Sequence, residues 1–188
     1  MDKEDSKKIN PNEIGLEIGL VLSRFFLNTE HLHFGFWPDG LSVDLKNLKK
    51  AQDCHSDQIL NSIPDGVKTV LDVGSGSGGL AEKLVNNGYT VDCVSPSDYL
   101  SDAIEGKLKN SVSVYRSTFE KLELNKKYDI VIFSESFQYV NIKKSLKKIP
   151  HAVHDKGHLL ICDFFRQPGT GTKPLGGGHD WKVFQDSL

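Results

Sequence analysis

The stretch TVLDVGSGSGGL, residues 69–80, carries two overlapping glycine patterns, and each is typical of a loop that holds a nucleoside-containing cofactor. The pattern G-x-G-x-x-G starts at Gly74 and ends at Gly79, and it binds the pyrophosphate of a dinucleotide at the N-terminus of a helix. The pattern acid-x-G-x-G-x-G starts at Asp72 and ends at Gly78. The glycines satisfy both patterns, so they do not choose between cofactors.

Asp72 separates the two possibilities because it would lie beside the bound cofactor. A carboxylate there is unfavourable next to an anionic pyrophosphate and favourable next to an ammonium group. S-adenosylmethionine (SAM) carries an ammonium, a carboxylate and a sulfonium, so its net charge is positive. The acid expected about 20 residues beyond the glycines of an NAD enzyme is also missing, since Ser95 ends the next predicted strand. Asp72 therefore favours SAM over NAD.

The elements around this loop alternate between strands and helices. Apolar, β-branched runs predict strands over 67–73, 89–95, 111–117, 128–134 and 158–165. Helical spacing predicts helices over 79–88, 97–108 and 141–149, and two more before the first strand, over 13–27 and 44–62. This order predicts an α/β fold with a Rossmann-like, doubly wound, mostly parallel sheet. The two leading helices are expected to form an N-terminal helical cap over the carboxyl ends of the strands, where such sheets bind ligands.

The chain has the length of one domain, and its composition divides it into four parts. We expect a disordered tail over 1–12, a helical cap with an aromatic loop over 13–66, a cofactor-binding core over 67–165 and a flexible loop or lid over 166–188. Doubly wound folds of this kind usually continue with another helix and two strands, so the C-terminal strands are expected to be missing. Either the chain is a fragment, or a second copy or partner chain covers the open edge of the sheet.

Four segments in this order resemble those of the class I SAM-dependent methyltransferases, and the resemblance covers most of residues 28–165. VLDVGSGSGGLA is similar to their first motif, YDIVIFSESFQYV to the fourth-strand motif and KGHLLICDFF to the fifth. HLHFGFWPDG is similar to the H-x-G-x-W/Y segment of small-molecule and lipid methyltransferases, such as the sterol, tocopherol and cyclopropane-synthase-like groups. The resemblance implies a Rossmann-like core, SAM as cofactor and a small or lipid-like methyl acceptor.

The glycine loop and the resemblance together predict the cofactor contacts. They are Asp72, Gly74, Ser75, Gly76, Gly78, Ser95, Pro96, Thr118, Phe119 and Ser134. Ser95 stands where the family commonly has an acid that holds the ribose hydroxyls, a departure that also resembles the cyclopropane-synthase and tocopherol groups. Thr118 and Phe119 stand where the resembled family often has an acid that holds the adenine amino group. Because neither residue is charged, we expect the hydrogen bonds to adenine to be weaker than charge-assisted ones. The alternatives are a helix entry at Ser95 and core packing of Phe119.

The acceptor side is predicted at the end of the fourth strand. Glu135 is a candidate general base with a raised pKa, or equally a helix-capping or salt-bridged acid. His33 of the aromatic loop and His179 of PLGGGHDW, a glycine-rich stretch interpreted as a lid, are two further catalytic candidates. The predicted substrate pocket consists of His31, Phe34, Phe36, Trp37, Phe137 and Tyr139, with core packing as the alternative for the aromatic rings.

No metal site is predicted from the sequence. His151, His154 and His158 lie close together without a neighbouring acid triad, so we expect them to be surface residues. Three cysteines, an odd number with no C-x-x-C spacing, indicate a reduced cytoplasmic protein rather than a zinc or disulfide framework.

The net charge of −2 gives no electrostatic reason to expect nucleic acid as a partner. No apolar run reaches the roughly 20 residues that span a bilayer.

The sequence therefore predicts a SAM-dependent methyltransferase that transfers a methyl group in line to a small-molecule or lipid-like acceptor, with S-adenosylhomocysteine as the product. Two alternatives stay open. A catalytically silent subunit or truncated homologue, acting through a partner chain, is suggested by Ser95 and the short C-terminal part. An NAD-dependent oxidoreductase is suggested by the G-x-G-x-x-G pattern.

Overall fold

The computed structural model describes residues 11–167 and 178–188, with side chains from Ile14 onward. The cap contains α1 (Pro11–Leu27) and α2 (Leu48–Asn61), and a 3₁₀ turn (Leu45–Asn47) precedes α2. The core then runs β1 (Thr69–Val73), α3 (Gly79–Asn86), β2 (Thr90–Val94), α4 (Asp98–Leu108), β3 (Val112–Tyr115), β4 (Tyr128–Ser134), α5 (Ile142–Ala152) and β5 (Val153–Cys162). The last described elements are β6 (Phe165–Arg166), β7 (His179–Asp180) and α6 (Trp181–Gln185).

Five strands form one parallel sheet in the order β3-β2-β1-β4-β5. β1 pairs with β2 on one side and with β4 on the other, so the winding direction reverses between β1 and β4. That reversal opens a crevice at the carboxyl ends of these two strands, which is where open α/β sheets bind their ligands. The predicted Rossmann-like, doubly wound sheet is confirmed.

The two faces of the sheet bury alternate residues of the same strands. Leu71 and Val73 of β1 pack with Phe133 of β4 in the core on one face. Val70 of β1 packs with Ile132 of β4 on the other face, against α3 and α4. Burial on both faces is the reason that these strands read as continuous apolar runs rather than as alternating patterns.

The cap and its aromatic loop contact the chain at or just after the carboxyl ends of β1, β2 and β4. The backbone N–H of Phe36 donates to the carbonyl oxygen of Ala51 in α2 at 2.8 Å, and a Cβ on Gly35 would lie 2.6 Å from the carbonyl carbon of Ala51. The loop and α2 therefore touch backbone to backbone, and only glycine permits this at position 35. Ser77 Oγ donates to the carbonyl oxygen of Glu30 at 2.5 Å, which ties the cap to the glycine loop.

β5 starts earlier than predicted. The sequence predicts a turn before a strand over 158–165, whereas α5 continues to Ala152 and β5 follows directly at Val153. Residues 154–156 are polar and exposed, and the register with β4 is irregular beside them. Hydrophobic patterning therefore does not reveal this half of the strand. The strand also ends three residues earlier than predicted, at Cys162.

The C-terminal part differs from the flexible loop predicted over 166–188. β6 and β7 pair in parallel, and α6 follows β7. Phe184 of α6 is buried in the core, where its ring packs edge-to-face on Phe137. Residues 168–177 of the predicted lid and residues 1–10 of the predicted tail lie outside the described residues.

α1 begins at Pro11, two residues before the predicted start. Proline is tolerated at the first position of a helix because its missing N–H would have no partner there. Among the described residues, no helix is both long and apolar enough to cross a membrane.

Candidate cofactor and acceptor site

Asp72 lies one residue before the end of β1, and its side chain is sealed from solvent. Only 1% of the residue is exposed, and burial raises the pKa of its carboxyl to about 7. Ser75 Oγ donates to the backbone carbonyl of Asp72 at 2.8 Å, and the Oδ2 atom of Asp72 has no hydrogen-bond partner among the described residues. A buried carboxylate oxygen without a partner is costly, so the position suits a ligand that brings a positive charge.

The glycines of the loop have left-handed backbones, with φ angles of 75°, 55° and 82° at Gly74, Gly76 and Gly78. A Cβ on Gly74 would lie 2.4 Å from Cβ of Ser136, which follows β4, so packing requires glycine there. A Cβ on Gly76 would have much more space: the described atom that it would approach is Cδ1 of Leu32 in the aromatic loop, 3.8 Å away. Gly76 therefore leaves room in the crevice, and a cofactor can approach the backbone at this point.

The end of β2 presents hydroxyl groups from the core and a carboxylate from the cap. Ser95 follows β2 and is buried, and its Oγ makes a long contact of 3.5 Å to the carbonyl oxygen of Ser97, while Pro96 between them is exposed. Ser97 caps α4, and its Oγ donates to Oε1 of Glu17 at 3.2 Å. α1 thus supplies a carboxylate beside the carboxyl end of β2, a strand that is itself followed by a serine.

The segment after β3 is divided between surface and core. Thr118 is exposed, and Oε1 of the neighbouring Glu120 accepts a hydrogen bond from the backbone N–H of Asn141 at 2.7 Å. Phe119 is 2% exposed, and its ring packs edge-to-face on Phe133 with 5.2 Å between centroids. The ring of Phe119 is thus enclosed in the core, which favours the core-packing alternative for this residue.

Three side chains from separate elements meet beside the crevice, and we call them the His–Glu cluster: His33 of the aromatic loop, His55 of α2 and Glu135 after β4. Each offers one nitrogen or oxygen atom, and these atoms lie within 4.8 Å of one another. The rings of His33 and His55 lie 4.4 Å apart between centroids, and Nδ1 of His55 lies 3.7 Å from Oε1 of Glu135. The structure thus brings together two of the predicted catalytic residues, Glu135 and His33, and adds His55 to them.

Burial sets the charge of the His–Glu cluster. It lowers the pKa of His33 to about 3, with the neighbouring imidazoles adding to the effect, and it also lowers the pKa of His55. Burial raises the pKa of Glu135 to about 7, opposed by a hydrogen bond from the backbone of Phe34 and helped by the nearby Asp163. Both histidines are therefore neutral at pH 7, and each keeps a lone pair on one ring nitrogen.

Glu135 has a left-handed backbone, with a φ of 50°, which glutamate rarely adopts. Its N–H donates to the carbonyl oxygen of Cys162 in β5 at 2.8 Å, and its own carbonyl oxygen accepts from Nε2 of Gln138 at 3.3 Å. Such a backbone costs roughly 1–3 kcal/mol and persists where the surrounding bonds hold it, often at functional sites. The turn after β4 therefore holds Glu135 in a strained conformation beside α2.

The predicted pocket residues separate into exposed and buried groups. Phe34, Phe36 and Tyr139 are exposed, with Phe34 at 71%. Trp37 holds the aromatic loop by donating from Nε1 to the carbonyl oxygen of Phe34 at 3.1 Å. Phe137 is fully buried among other aromatic rings, which favours the core-packing alternative for this residue.

His179 lies in β7 and contacts the segment that follows β4. Its Nε2 lies 2.8 Å from the carbonyl oxygen of Phe137, and its ring packs edge-to-face on that residue. Among the described residues it does not join the His–Glu cluster. The three histidines predicted to be surface residues, His151, His154 and His158, are exposed.

Two buried or half-buried residues at this site, His55 and Asp163, are not predicted from the sequence. His55 lies on the buried face of α2, four residues from both Ala51 and Ile59, and a histidine at that spacing was the available signal. Asp163 directly follows β5, and its Oδ2 accepts from the backbone N–H of Gln138 at 2.9 Å. Burial raises the pKa of Asp163. An acid at the carboxyl end of a predicted parallel strand was the signal for it.

The chain matches known proteins in sequence and in structure. Residues 71–161 match the family model described as a methyltransferase domain. A ubiquinone biosynthesis O-methyltransferase of Rickettsia bellii is 30% identical over 101 residues, which cover 52% of this chain and 42% of that protein. In structure, the chain is similar to geranyl diphosphate C-methyltransferase from Streptomyces coelicolor A3(2), with a TM-score of 0.75 at 14% identity. The match covers 95% of this chain and 78% of that chain, which was solved in complex with Mg²⁺, geranyl-S-thiolodiphosphate and S-adenosyl-L-homocysteine. The cyclase SpnF has a TM-score of 0.73 at 17% identity, covering 94% of this chain and 70% of that chain.

The chain spans less than half of the length of the curated relatives that it matches, 46% and 42% for the first two. The two structural neighbours share its fold, yet one is a methyltransferase and the other a cyclase. A shared fold does not establish a shared reaction, so the activity of this chain has to be argued from its own site.

Proposed function

Since the chain belongs to the class I SAM-dependent methyltransferase family, we propose that it transfers a methyl group from SAM to a small-molecule or lipid-like acceptor and releases S-adenosylhomocysteine. The observation that carries the proposal is the buried carboxylate of Asp72, whose Oδ2 lacks a partner beside a loop of left-handed glycines. When bound, SAM supplies a methyl carbon on a positively charged sulfur, which an acceptor atom attacks in line.

Asp72 is proposed to pair with the ammonium group of SAM. This ammonium provides the partner that Oδ2 lacks, in a site closed to water, where charge-assisted hydrogen bonds are strong. The same residue disfavours NAD, because a pyrophosphate would place further negative charge beside a buried carboxylate. Gly76 supports the proposal too, since its backbone is open to the crevice.

Ser95, Glu17 and Thr118 are proposed to hold the rest of the cofactor. Ser95 and Glu17 both reach the end of β2, where the ribose of SAM is expected. Thr118 is exposed beyond β3, on the side proposed for the adenine ring. Two of these three groups are neutral, so the affinity for the adenosine half is expected to be modest.

The acceptor is proposed to lie between the His–Glu cluster and the exposed rings of Phe34 and Phe36. These rings provide apolar surface of the kind that a small-molecule or lipid-like acceptor needs. Most of the rate enhancement is expected from holding the acceptor atom in line with the methyl group and from excluding water. Where the acceptor has a proton to lose, Glu135 is the proposed base because its pKa is about 7, whereas a pKa of about 3 makes His33 a poor base.

A cytoplasmic location is proposed on the three cysteines, which are all unpaired.

Calorimetry of SAM and S-adenosylhomocysteine binding tests the cofactor half of the proposal. We expect the wild-type chain to bind both and Asp72→Asn to bind SAM about 10- to 100-fold more weakly, because a charge-assisted bond is lost. Asp92→Asn is the matched control, since Asp92 is a buried acid of β2 whose carboxylate is satisfied by Tyr128 and Lys126. A wild-type chain that binds neither compound would refute the proposal.

Transfer of a radiolabelled methyl group from SAM to phenols, amines and isoprenoid lipids tests the catalytic half. We expect transfer to one acceptor class. Binding of SAM without transfer to any class would favour the catalytically silent alternative.

A further inference from the structure

We propose that His33, His55 and Glu135, the His–Glu cluster, form a binding site for one divalent transition-metal ion at the carboxyl end of β4. The three ligands come from three separate elements, the aromatic loop, α2 and the turn after β4. The folded chain therefore assembles the site, and no short stretch of sequence contains it.

The distances in the cluster suit an ion with small side-chain adjustments. Donor atoms around a tetrahedral ion at about 2.1 Å lie roughly 3.4 Å from one another. Nδ1 of His55 and Oε1 of Glu135 are 3.7 Å apart, close to that spacing. All three donor atoms lie within 4.8 Å of one another. A side-chain rotation that moves a donor atom by about 1 Å is therefore enough to place all three at the distance from the ion that coordination needs.

A second observation is the unsatisfied nitrogen of His33. Its Nδ1 is buried and has no hydrogen-bond partner among the described residues. The other ring nitrogen, Nε2, lies 3.2 Å from Nδ1 of His31, and Nε2 of His31 lies 3.9 Å from Oδ1 of Asp53. This arrangement suits a metal ligand: one nitrogen is free for the ion, and the other is oriented by a hydrogen bond with His31, whose ring lies near a carboxylate.

His55 is arranged in the same way. Its Nδ1 faces Glu135, and its Nε2 lies 3.4 Å from Oγ of Ser134. The residue is buried, so solvent does not compete for the nitrogen that faces the cluster. Each imidazole therefore has one nitrogen, Nδ1, that is not used by its orienting contact, and in His55 this nitrogen faces Glu135.

The charge of the cluster also leaves a place for a cation. Among the described residues, no lysine or arginine pairs with the carboxylate of Glu135, and the nearby Asp163 adds negative charge. Two imidazole nitrogens and one carboxylate oxygen favour Zn²⁺, Co²⁺, Fe²⁺ or Mn²⁺ over Mg²⁺ and Ca²⁺, which prefer oxygen ligands. With three protein ligands, the ion keeps coordination positions open. Their expected occupant is a hydroxyl or carboxylate oxygen of the methyl acceptor, and this part of the inference rests on the proposed function.

Metal titration of the chelator-treated full chain, without SAM, tests the site. We expect one Co²⁺ per chain with a visible absorption spectrum of nitrogen and oxygen ligation, and one Zn²⁺ per chain by calorimetry. Glu135→Gln and His55→Gln each remove one ligand and should weaken the binding of either ion roughly 100-fold or more. Glu135→Gln keeps the size of the side chain, and circular dichroism will verify that each variant is folded.

His154→Gln is the control, because His154 is exposed on β5 outside the cluster. It should leave the Co²⁺ spectrum and the Zn²⁺ affinity unchanged. Ser134→Ala, by contrast, removes the hydroxyl group that orients the His55 ring, and it should weaken metal binding about 10- to 100-fold. The inference is overturned if the wild-type chain binds no stoichiometric ion, or if Glu135→Gln and His55→Gln bind as tightly as wild type. Since SAM binding is measured separately on the metal-free chain, failure of the metal site and failure of the proposed cofactor give different results.

Discussion

Nδ1 of His55 in the cap lies 3.7 Å from Oε1 of Glu135 in the core. The contact joins the helical cap to the turn after β4, and it lies beside the crevice in which the glycine loop ends. The proposed acceptor side of the site therefore depends on both parts of the chain. The proposed contact with the ammonium of SAM depends on β1 and its loop, where Asp72 lies.

The affinity for SAM should depend on pH through Asp72. Its carboxyl has a pKa of about 7 in the free protein, and pairing with an ammonium lowers that pKa. Below about pH 7, binding must therefore release a proton, and the dissociation constant should rise up to tenfold for each pH unit between 7 and 5. Calorimetry over this range measures it. Asp72→Asn should bind weakly with a much flatter pH dependence, and an equally steep profile in this variant would assign the proton to another group.

The same carboxylate should lower the stability of the cofactor-free chain at high pH. Its pKa in the folded state is raised above the unfolded value, so the folded state holds the proton between about pH 4 and 7, and stability is lost as the pH rises through that range. Asp72→Asn is neutral throughout. Its advantage in the free energy of unfolding should grow from near zero at pH 4 to roughly 2–4 kcal/mol at pH 8. Urea unfolding of both chains at several pH values measures the difference, and an advantage that does not change with pH contradicts this account.

Replacement of Gly74 by alanine should destabilise the fold. The φ of 75° is unfavourable for alanine, and its Cβ would lie 2.4 Å from Cβ of Ser136. We expect a loss of roughly 2 kcal/mol or more in urea unfolding. Gly106→Ala is the control within α4, where a Cβ meets no described atom within 4 Å, and it should stabilise the chain by about 0.5–1 kcal/mol. Equal effects of the two substitutions would show that the glycine loop tolerates a side chain.

Phe137 and Tyr139 should behave differently although both were predicted to line the pocket. Phe137→Ala removes a fully buried ring and should cost about 3–5 kcal/mol of stability. Tyr139→Ala removes an exposed ring and should change stability by less than about 0.5 kcal/mol, while raising KM for the acceptor if the proposed function holds. Thermal unfolding and initial rates separate the two roles. A Phe137→Ala chain as stable as wild type would return this residue to the pocket.

The glycine loop could be predicted from sequence because its residues are neighbours in the chain. Asp72, Gly74 and Gly76 lie within one strand–loop–helix unit, whose conformation follows from local patterning. The burial of the aromatic residues could not be predicted in this way. Phe119 and Phe137 lie in segments next to exposed residues, and an aromatic ring fits a core as well as a pocket, so their burial does not follow from residue type.

The amino-acid sequence alone specifies the alternation of strands and helices, the parallel sheet and the acid that precedes the glycines, because short-range hydrophobic periodicity and backbone preference encode these features. The meeting of His33, His55 and Glu135 was decided only by the tertiary structure. Their contact requires α2 and the aromatic loop to pack on the carboxyl ends of the strands, and such long-range packing depends on the fit of whole surfaces rather than on any local pattern.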